Sequence, residues 1–367
     1  MDTSLEDMFD PFYSLTPKLL AAVSLIERAR GRIDAARLSP EQAAGLREQS
    51  ETDMAVASAG LSDTSLTRHQ IEAILNGREV DAAQRSITEV DNARDGMRWG
   101  LSREQDPSPL TLDDILEMHR IFAKNLIPDV HLGAFRPGPA LIGDQFAGSD
   151  WGRYKAPPAS LIEARMEALL RWVATAGTDP HPVIAAGIAH QEIASIRPYN
   201  AATGQIARLT ARIILGQHGY SFQDGLALGL FYLENRSAYY TALDNGASYL
   251  ERAHNSRNAW LTFYLRGLQN EVDRLTALFA SYEVTDDPAV QAIPSLRRDE
   301  AALLAFADHY GSFSRHDAES ILSPTPKRLV ARRLEAMVKA GHLIKDETDE
   351  PVRYQPANPP TDSTGSP

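Results

Sequence analysis

Apolar residues recur at helical spacing along nearly the whole chain, and this periodicity is the feature that most constrains its fold. In residues 17–37, for example, Leu19, Val23 and Ile26 follow one another at intervals of four and three. Such spacing places apolar side chains on one face of a helix. The same pattern predicts helices over residues 65–75, 110–126, 159–176, 181–196, 206–219, 236–246 and 258–282. We therefore predict a mainly α fold.

Residues 131–158 interrupt this pattern. They contain five glycines and four prolines with aromatic residues between them, which is typical of a loop or a short β-hairpin. Prolines and acids interrupt the helices again at 284–295 and indicate a linker. We predict four regions: N-terminal helices that pack on the core (1–100), the core (101–285), a small separate module (296–355) and a disordered tail (356–367).

Composition limits the chemistry open to this chain. Its 367 residues include no cysteine, which excludes disulfides, thiolate nucleophiles and cysteine-based zinc sites. No apolar run approaches the ~18–20 residues that cross a bilayer, and the acidic N-terminus does not resemble a secretory signal. These features favour a cytoplasmic protein with no membrane partner. The net charge of −12 argues against a nucleic-acid binder that uses its whole surface.

Residues 190–208 are the most informative stretch, because they join two helices through a short loop. An apolar helix ends at Arg197-Pro198, a loop containing Gly204 follows, and the next helix is predicted to start near Gln205. Free backbone N–H groups and the helix dipole make such an N-terminus a site for anions. Taken alone, the pattern is more often a structural turn.

The spacing of this loop resembles the signature of the Fic (Fido) family, H-P-F-x-[D/E]-G-N-G-R-x-x-R. Pro198 and Tyr199 match its proline and its aromatic residue. Gly204 and Arg208 match its second glycine and its last arginine. Flanking segments extend the resemblance over residues 15–285. It implies a Fic-type helical core with a β-hairpin flap that clamps the substrate.

Five positions of the motif depart from the family. Arg197 stands where the family has its general base, and a guanidinium cannot accept a proton at neutral pH. Ala201 stands where the family has its magnesium-binding acid, and a methyl group offers no oxygen ligand. Ala202, Thr203 and Gln205 replace a glycine, the asparagine and the first arginine. AMP transfer is therefore expected to be lost or very weak.

These departures predict a binding or regulatory pseudoenzyme with no required cofactor and no metal site. Its pocket would bind ATP weakly or hold another phosphate or carboxylate. The candidate ligand-binding residues are Arg197, Thr203, Gly204, Gln205 and Arg208. One alternative is a repurposed group-transfer enzyme in which Arg197 stabilises charge. Another is a structural Arg197 that pairs with Glu192 or Asp144.

A further departure concerns an inhibitory helix, S-x-x-x-E-[G/N], that many family members carry. Its glutamate pairs with the last arginine of the motif. The best equivalent here begins at Ser58 and places Ser62 at the glutamate position, whereas a shift of one residue would place Asp63 there. With Ser62 at that position, Arg208 lacks its usual carboxylate partner.

Several other residues have both a functional and a structural interpretation. By the resemblance, Tyr239 and Tyr240 line the adenine side of the pocket, although a helical aromatic pair is equally typical of a core. Trp151 and Tyr154 in the flap are candidate contacts for a protein partner, or packing residues. His190 lies on an apolar helix, so we predict a hydrogen-bonded core residue there.

Residues 296–355 resemble a winged helix, a module common after Fic domains. The sequence predicts three helices followed by two short strands around an acidic turn. On the third helix Val330, Leu334 and Met337 share one face, and the candidate DNA contacts Arg328, Arg332 and Lys339 share the other. Glu335 on the basic face weakens the DNA interpretation. Packing or homodimer formation is the alternative.

Overall fold

A computed structural model describes residues 9–62, 64, 66–140, 154–285, 298–322, 325–346, 348 and 351–357. Helices dominate these residues, so the prediction of a mainly α fold is confirmed. The first twelve helices are α1 (Pro17–Ala35), α2 (Pro40–Leu61), α3 (Arg68–Leu75), α4 (Gln84–Glu104), α5 (Leu112–Ala123), α6 (Ile162–Val173), α7 (Pro182–Ile196), α8 (Thr203–Gln217), α9 (Gly229–Glu234), α10 (Arg236–Leu243), α11 (Tyr249–His254) and α12 (Asn258–Thr285). Within the part of the chain that is described, no helix combines the length and the apolar content needed to cross a membrane.

Capping side chains set where several predicted helices begin. Thr67 and Thr111 each accept a hydrogen bond from the backbone N–H three residues later. Gln70 and Asp114 accept one in return from the cap backbone, which completes a capping box at α3 and at α5. Pro182 occupies the first turn of α7, where its missing N–H costs nothing. These starts lie within three residues of the predicted ones.

Helix α4 is absent from the predicted helices, because its buried face has no regular apolar pattern. That face includes Asn92, Gly96 and Gly100 beside its apolar residues. A Cβ at Gly100 would lie 2.5 Å from a methyl carbon of Leu209. Because of its glycines, α4 approaches α8 more closely than larger residues would allow.

The chain divides into two compact units. The first unit comprises residues 1–34 and 43–273, and the second comprises residues 35–42 and 274–367. In the first, α7 and α8 pack against each other, α4 and α5 pack on α8, and α6 packs on α7. Helix α7 is buried along its whole length apart from Ala194. Most of residues 1–100 therefore share one unit with the core.

Two ion pairs between described residues of the first unit are buried on both sides. Arg257 pairs with Glu192 at 2.5 Å, and Arg212 pairs with Glu104 at 2.8 Å. Each of these four side chains is at most 4% exposed. A buried charge that loses its partner is costly, so these pairs link distant helices through strong constraints.

The second unit contains a small helical and β-sheet module. Its helices are α13 (Arg298–Tyr310), α14 (Arg315–Ile321) and α15 (Lys327–Lys339), and its strands are β1 (Phe313–Ser314), β2 (Leu343–Asp346) and β3 (Arg353–Pro356). The strands form an antiparallel sheet in the order β1-β3-β2. Strand β1 was not predicted, because two residues are too few to show an alternating pattern.

The two faces of α15 agree with the prediction. Val330, Leu334 and Met337 are buried in the core of the module, whereas Arg328, Arg332 and Lys339 are exposed. Pro326 is the N-cap residue of this helix. Pro356, assigned to the tail, ends β3. Residues 358–367 of the predicted tail lie outside the described residues.

Most of the predicted flap lies outside the described residues. Residues 141–153 are not described, and both Asp144 and Trp151 fall among them. On the C-terminal side of this gap, Lys155 forms an isolated parallel β-bridge with Ser248. The β-hairpin therefore stays a prediction.

Candidate functional site

The end of α7 and the start of α8 form a tight loop with a left-handed residue at each side. Arg197 caps α7 with φ 48° and donates its backbone N–H to the carbonyl of Ile193. Ala202 has φ 64°, and α8 begins directly after it at Thr203. The helix thus starts two residues before the predicted position, Gln205, and its N-terminus lies within the motif.

Replacing Ala202 by glycine is expected to stabilise the protein by about 0.5–1 kcal/mol. A side chain at positive φ costs about 1–2 kcal/mol, which exceeds the extra conformational entropy that glycine loses on folding. Denaturant unfolding measures the change. Ala164 is exposed on α6, so Ala164→Gly is the control and should cost about 1 kcal/mol. Equal losses in both variants would contradict the strain at Ala202.

Arg136 holds the carbonyl groups at the end of α7. Its side chain is buried and donates hydrogen bonds to the carbonyls of Arg197 at 2.8 Å, Gly138 at 2.5 Å and Pro157 at 2.6 Å. Its backbone N–H donates to the carbonyl of Pro198 at 3.0 Å. A positive charge at a helix C-terminus is favourable. Because Arg136 also binds Gly138 and Pro157, it connects the described residues on either side of the predicted flap to the loop.

The loop borders a cavity of about 340 Å³. The predicted ligand-binding and adenine-side residues all line it: Arg197, Thr203, Gly204, Gln205, Arg208, Tyr239 and Tyr240. Side chains that the sequence did not indicate also line it: Arg85 and Glu89 of α4, and Phe122 and Leu126 at the end of α5. The volume lies at the lower end of the range for small-molecule pockets.

Arg197 lies half-buried among other polar groups. Burial lowers its pKa most, and the positive charges of Arg252 and Arg136 lower it further. A guanidinium nevertheless stays protonated in a protein, so Arg197 cannot act as a base. Glu192, one acid considered as its structural partner, is instead bound by Arg257 at 2.5 Å and by the hydroxyl of Tyr249 at 2.6 Å.

Arg208 lies close to a hydrogen-bonded pair in the core. Its positive charge opposes the rise that burial causes in the pKa of Tyr239, whose hydroxyl lies 2.9 Å from Nε2 of His190. Burial, with Arg208 adding to it, lowers the pKa of His190 well below its usual value. The neutral ring can then accept a hydrogen bond from the Tyr239 hydroxyl. The prediction of His190 as a hydrogen-bonded core residue is confirmed.

Ser62 contacts the loop at the position predicted for an inhibitory glutamate. Its hydroxyl accepts a hydrogen bond from the Gln205 amide at 3.0 Å. No carboxylate of a described residue forms an ion pair with Arg208. Asp63, the alternative at this position, lies outside the described residues.

Helix α4 contributes a charged pair to the cavity. Arg85 and Glu89 lie 3.2 Å apart, and their side chains are 65% and 17% exposed. Burial raises the pKa of Glu89, and Arg85 opposes this effect. In the sequence an i,i+4 pair of this kind is typical of a solvated helix face. Only the packing of α4 brings it to the loop.

Tyr154, a candidate contact for a protein partner, is packed into the protein. It is 5% exposed, and its hydroxyl donates to the carbonyl of Ser195 at 2.7 Å. The Arg252 guanidinium lies 3.7 Å from the centre of its ring. Tyr154 was predicted either to contact a protein partner or to pack within the protein, and the structure shows that it packs.

Residues 109–215 match the sequence profile of the Fic/DOC family. The chain is also 26% identical over 144 residues to protein adenylyltransferase fic-1 from Caenorhabditis elegans. That alignment covers 39% of this chain and 25% of the relative. Residues 109–215 are therefore similar to a Fic/DOC family domain, and the chain spans about a quarter of the length of this curated relative.

Solved structures of similar proteins share the fold. A Fic family protein from Desulfovibrio desulfuricans superposes with a TM-score of 0.61 at 22% identity, over 98% of this chain and all of the other. A Fic domain containing signaling protein from Bacteroides thetaiotaomicron gives 0.58 at 19% identity, over 72% of this chain and 98% of the other. The predicted Fic-type helical fold is confirmed.

Proposed function

We propose that this protein is a degenerate Fic-fold pseudoenzyme that binds a small anion in the cavity beside the α7–α8 loop. The observation that supports this proposal is that Arg197 and Arg208 line one cavity together with the first residues of α8. Guanidinium groups bind phosphate and carboxylate oxygens bidentately, and the N–H groups of a helix N-terminus add further donors. A protein that binds an anion but transfers no group would act as a regulator that responds to the bound anion.

The loop does not fit magnesium-assisted AMP transfer, the activity that the resemblance implies. Ala201 offers no oxygen at the position of the family's acid. Of the described residues that line the cavity, Glu89 alone carries a carboxylate, and it belongs to α4 and not to the motif loop. Chemistry that depends on magnesium is therefore not expected here.

Binding of inorganic phosphate should depend on Arg208 and not on magnesium. A hydrogen bond to a charged group contributes about 1.5–3 kcal/mol, so Arg208→Ala should weaken binding about tenfold or more. Titration calorimetry with phosphate and with ATP, each with and without magnesium, measures this. The matched control is Arg171→Ala, because Arg171 is 61% exposed on α6. Micromolar ATP binding that requires magnesium would contradict the proposal.

A repurposed group-transfer enzyme is the second candidate, and Glu89 is the observation that favours it. Such an enzyme needs an acid or a histidine that faces the cavity and accepts a proton. His190 is engaged by Tyr239, whereas Glu89 lines the cavity directly. The test is label transfer from a set of nucleotides, compared between the wild type and Glu89→Gln. Transfer that the variant abolishes would establish this candidate, and no transfer by the wild type would exclude it.

For the second unit we propose a winged helix that contacts DNA through α15. Three helices, a three-stranded antiparallel sheet and an exposed basic helix face support this. The basic residues are Arg328, Arg332 and Lys339. Helices of this kind meet phosphates or base edges in the major groove. The protein would then couple an anion site in one unit to DNA binding in the other.

DNA affinity should fall steeply with salt, because each neutralised phosphate releases condensed counterions. Three contacts predict a log–log slope of roughly −2 to −3. Replacing Arg328 and Arg332 by alanine should reduce the slope by about two and leave the fold intact, since both side chains are exposed. Mobility shifts of the full chain with duplex DNA at two salt concentrations measure this. No shift at low salt would leave α15 with a packing or dimer role.

A further inference from the structure

Glu89 places a negative charge in a cavity whose other charged groups, among the residues that the structure describes, are arginines. These charged lining residues are Arg85, Glu89, Arg197 and Arg208. The first two belong to α4, and the last two belong to the loop and to α8. A pocket that served only to attract anions would gain nothing from a carboxylate, since like charges repel the ligand.

The present partner of Glu89 is weakly held. Arg85 reaches it across one helical turn at 3.2 Å, but the Arg85 side chain is 65% exposed. Exposed ion pairs of this type contribute little, because solvent screens them and the long side chain loses freedom. Glu89 itself is only 17% exposed, so it is substantially desolvated. A cation delivered into the cavity would meet a carboxylate that water does not fully solvate and would displace Arg85 at low cost.

We propose that the ligand is a zwitterion, whose anionic group binds at Arg197 and Arg208 and whose ammonium group binds at Glu89. This inference rests on the proposed anion site and adds the chemical class of its ligand. Phe122 and Leu126 line the same cavity and supply apolar contact for a short carbon chain between the two charged groups. A compact molecule of this kind suits a volume of about 340 Å³.

Matched pairs of probes test the proposal on the full chain. One member of each pair is an ω-aminoalkyl phosphate with two, three or four methylene groups. The other is the alkyl phosphate of the same length, which lacks the ammonium group. Titration calorimetry is expected to show that the aminoalkyl phosphate of the best length binds at least about tenfold more tightly than its partner.

Three variants separate the role of Glu89 from a general effect on the pocket. Glu89→Gln should weaken the aminoalkyl phosphate about tenfold and should tighten the alkyl phosphate, because a repulsive charge is removed. Arg85→Gln should tighten the aminoalkyl phosphate, because the competing cation is gone. Arg208→Ala should weaken both probes alike, since both carry the phosphate.

The outcomes distinguish this inference from the proposed function. Equal affinity of the paired probes at every length, or a Glu89→Gln change of the same sign for both, would overturn the zwitterion and leave the anion site standing. Phosphate binding that does not respond to Arg208→Ala, or no binding of either probe, would overturn the anion site and the zwitterion with it. Opposite changes of the two probes in Glu89→Gln would establish the inference.

Discussion

Purified protein incubated with labelled ATP and magnesium is expected to transfer no AMP, either to itself or to proteins of a cell lysate. Loss of a positioned general base costs about 10²–10⁴ in rate, or about 3–5 kcal/mol of barrier. Loss of the metal that stabilises phosphate charge removes several kcal/mol more. The two losses are not strictly additive, but together they should place the rate at least about 10⁴-fold below that of an active Fic adenylyltransferase assayed in parallel.

Variants that restore the family's residues at the motif positions provide the matched control for this experiment. Arg197→His alone should stay inactive, because Ala201 still supplies no oxygen for a metal. Replacing all five departed positions is expected to bring label transfer back: Arg197→His, Ala201→Asp, Ala202→Gly, Thr203→Asn and Gln205→Arg. Clear labelling by the wild type that disappears in Arg208→Ala would refute the pseudoenzyme.

The largest effect on stability is expected from Arg257→Met, which should destabilise the protein by about 3–5 kcal/mol. Arg257 and Glu192 are each 1% exposed and lie 2.5 Å apart. Without Arg257, Glu192 would be left as a buried charge whose remaining hydrogen bond comes from the hydroxyl of Tyr249. Denaturant unfolding of the wild type and the variant gives the difference directly.

Two further variants isolate the cost of the unpaired charge. The double variant Arg257→Met with Glu192→Gln should recover much of the loss, because glutamine is neutral and still accepts the hydrogen bond from Tyr249. Arg171→Met breaks an exposed pair with Glu167 and should cost less than about 1 kcal/mol. A double variant no more stable than Arg257→Met would show that lost packing, and not lost charge, dominates.

Much of the loop could be predicted because its information is local in the chain. Residues 197–208 are contiguous, so their spacing predicted both the helix–loop–helix and the resemblance to the family signature. The seven predicted pocket residues line one cavity. Ser62 was placed near this loop by alignment alone, and its hydrogen bond to Gln205 agrees with that placement.

The sequence did not indicate the contribution of α4, and the reason is physical. Its buried face relies on Gly96, Gly100 and Asn92, so it shows no apolar period. The pair formed by Arg85 and Glu89 has the spacing of an exposed helical ion pair. Whether such a pair faces solvent or a cavity depends on how the helix packs, and no local pattern records that.

By itself the sequence determined eight of the first twelve helices, the two faces of α15 and the residue types at the motif positions, because each depends on residue identity or on neighbours three and four positions away. Tertiary structure alone decided that Arg85 and Glu89 share the cavity with Arg197 and Arg208 and that Tyr154 is buried. It also decided that Glu192 pairs with Arg257, 65 positions further along the chain. Contacts of that kind arise when helices that are distant in sequence pack closely. The spacing of residues along the chain does not predict such packing, as the close approach of α4 to α8 at Gly100 shows.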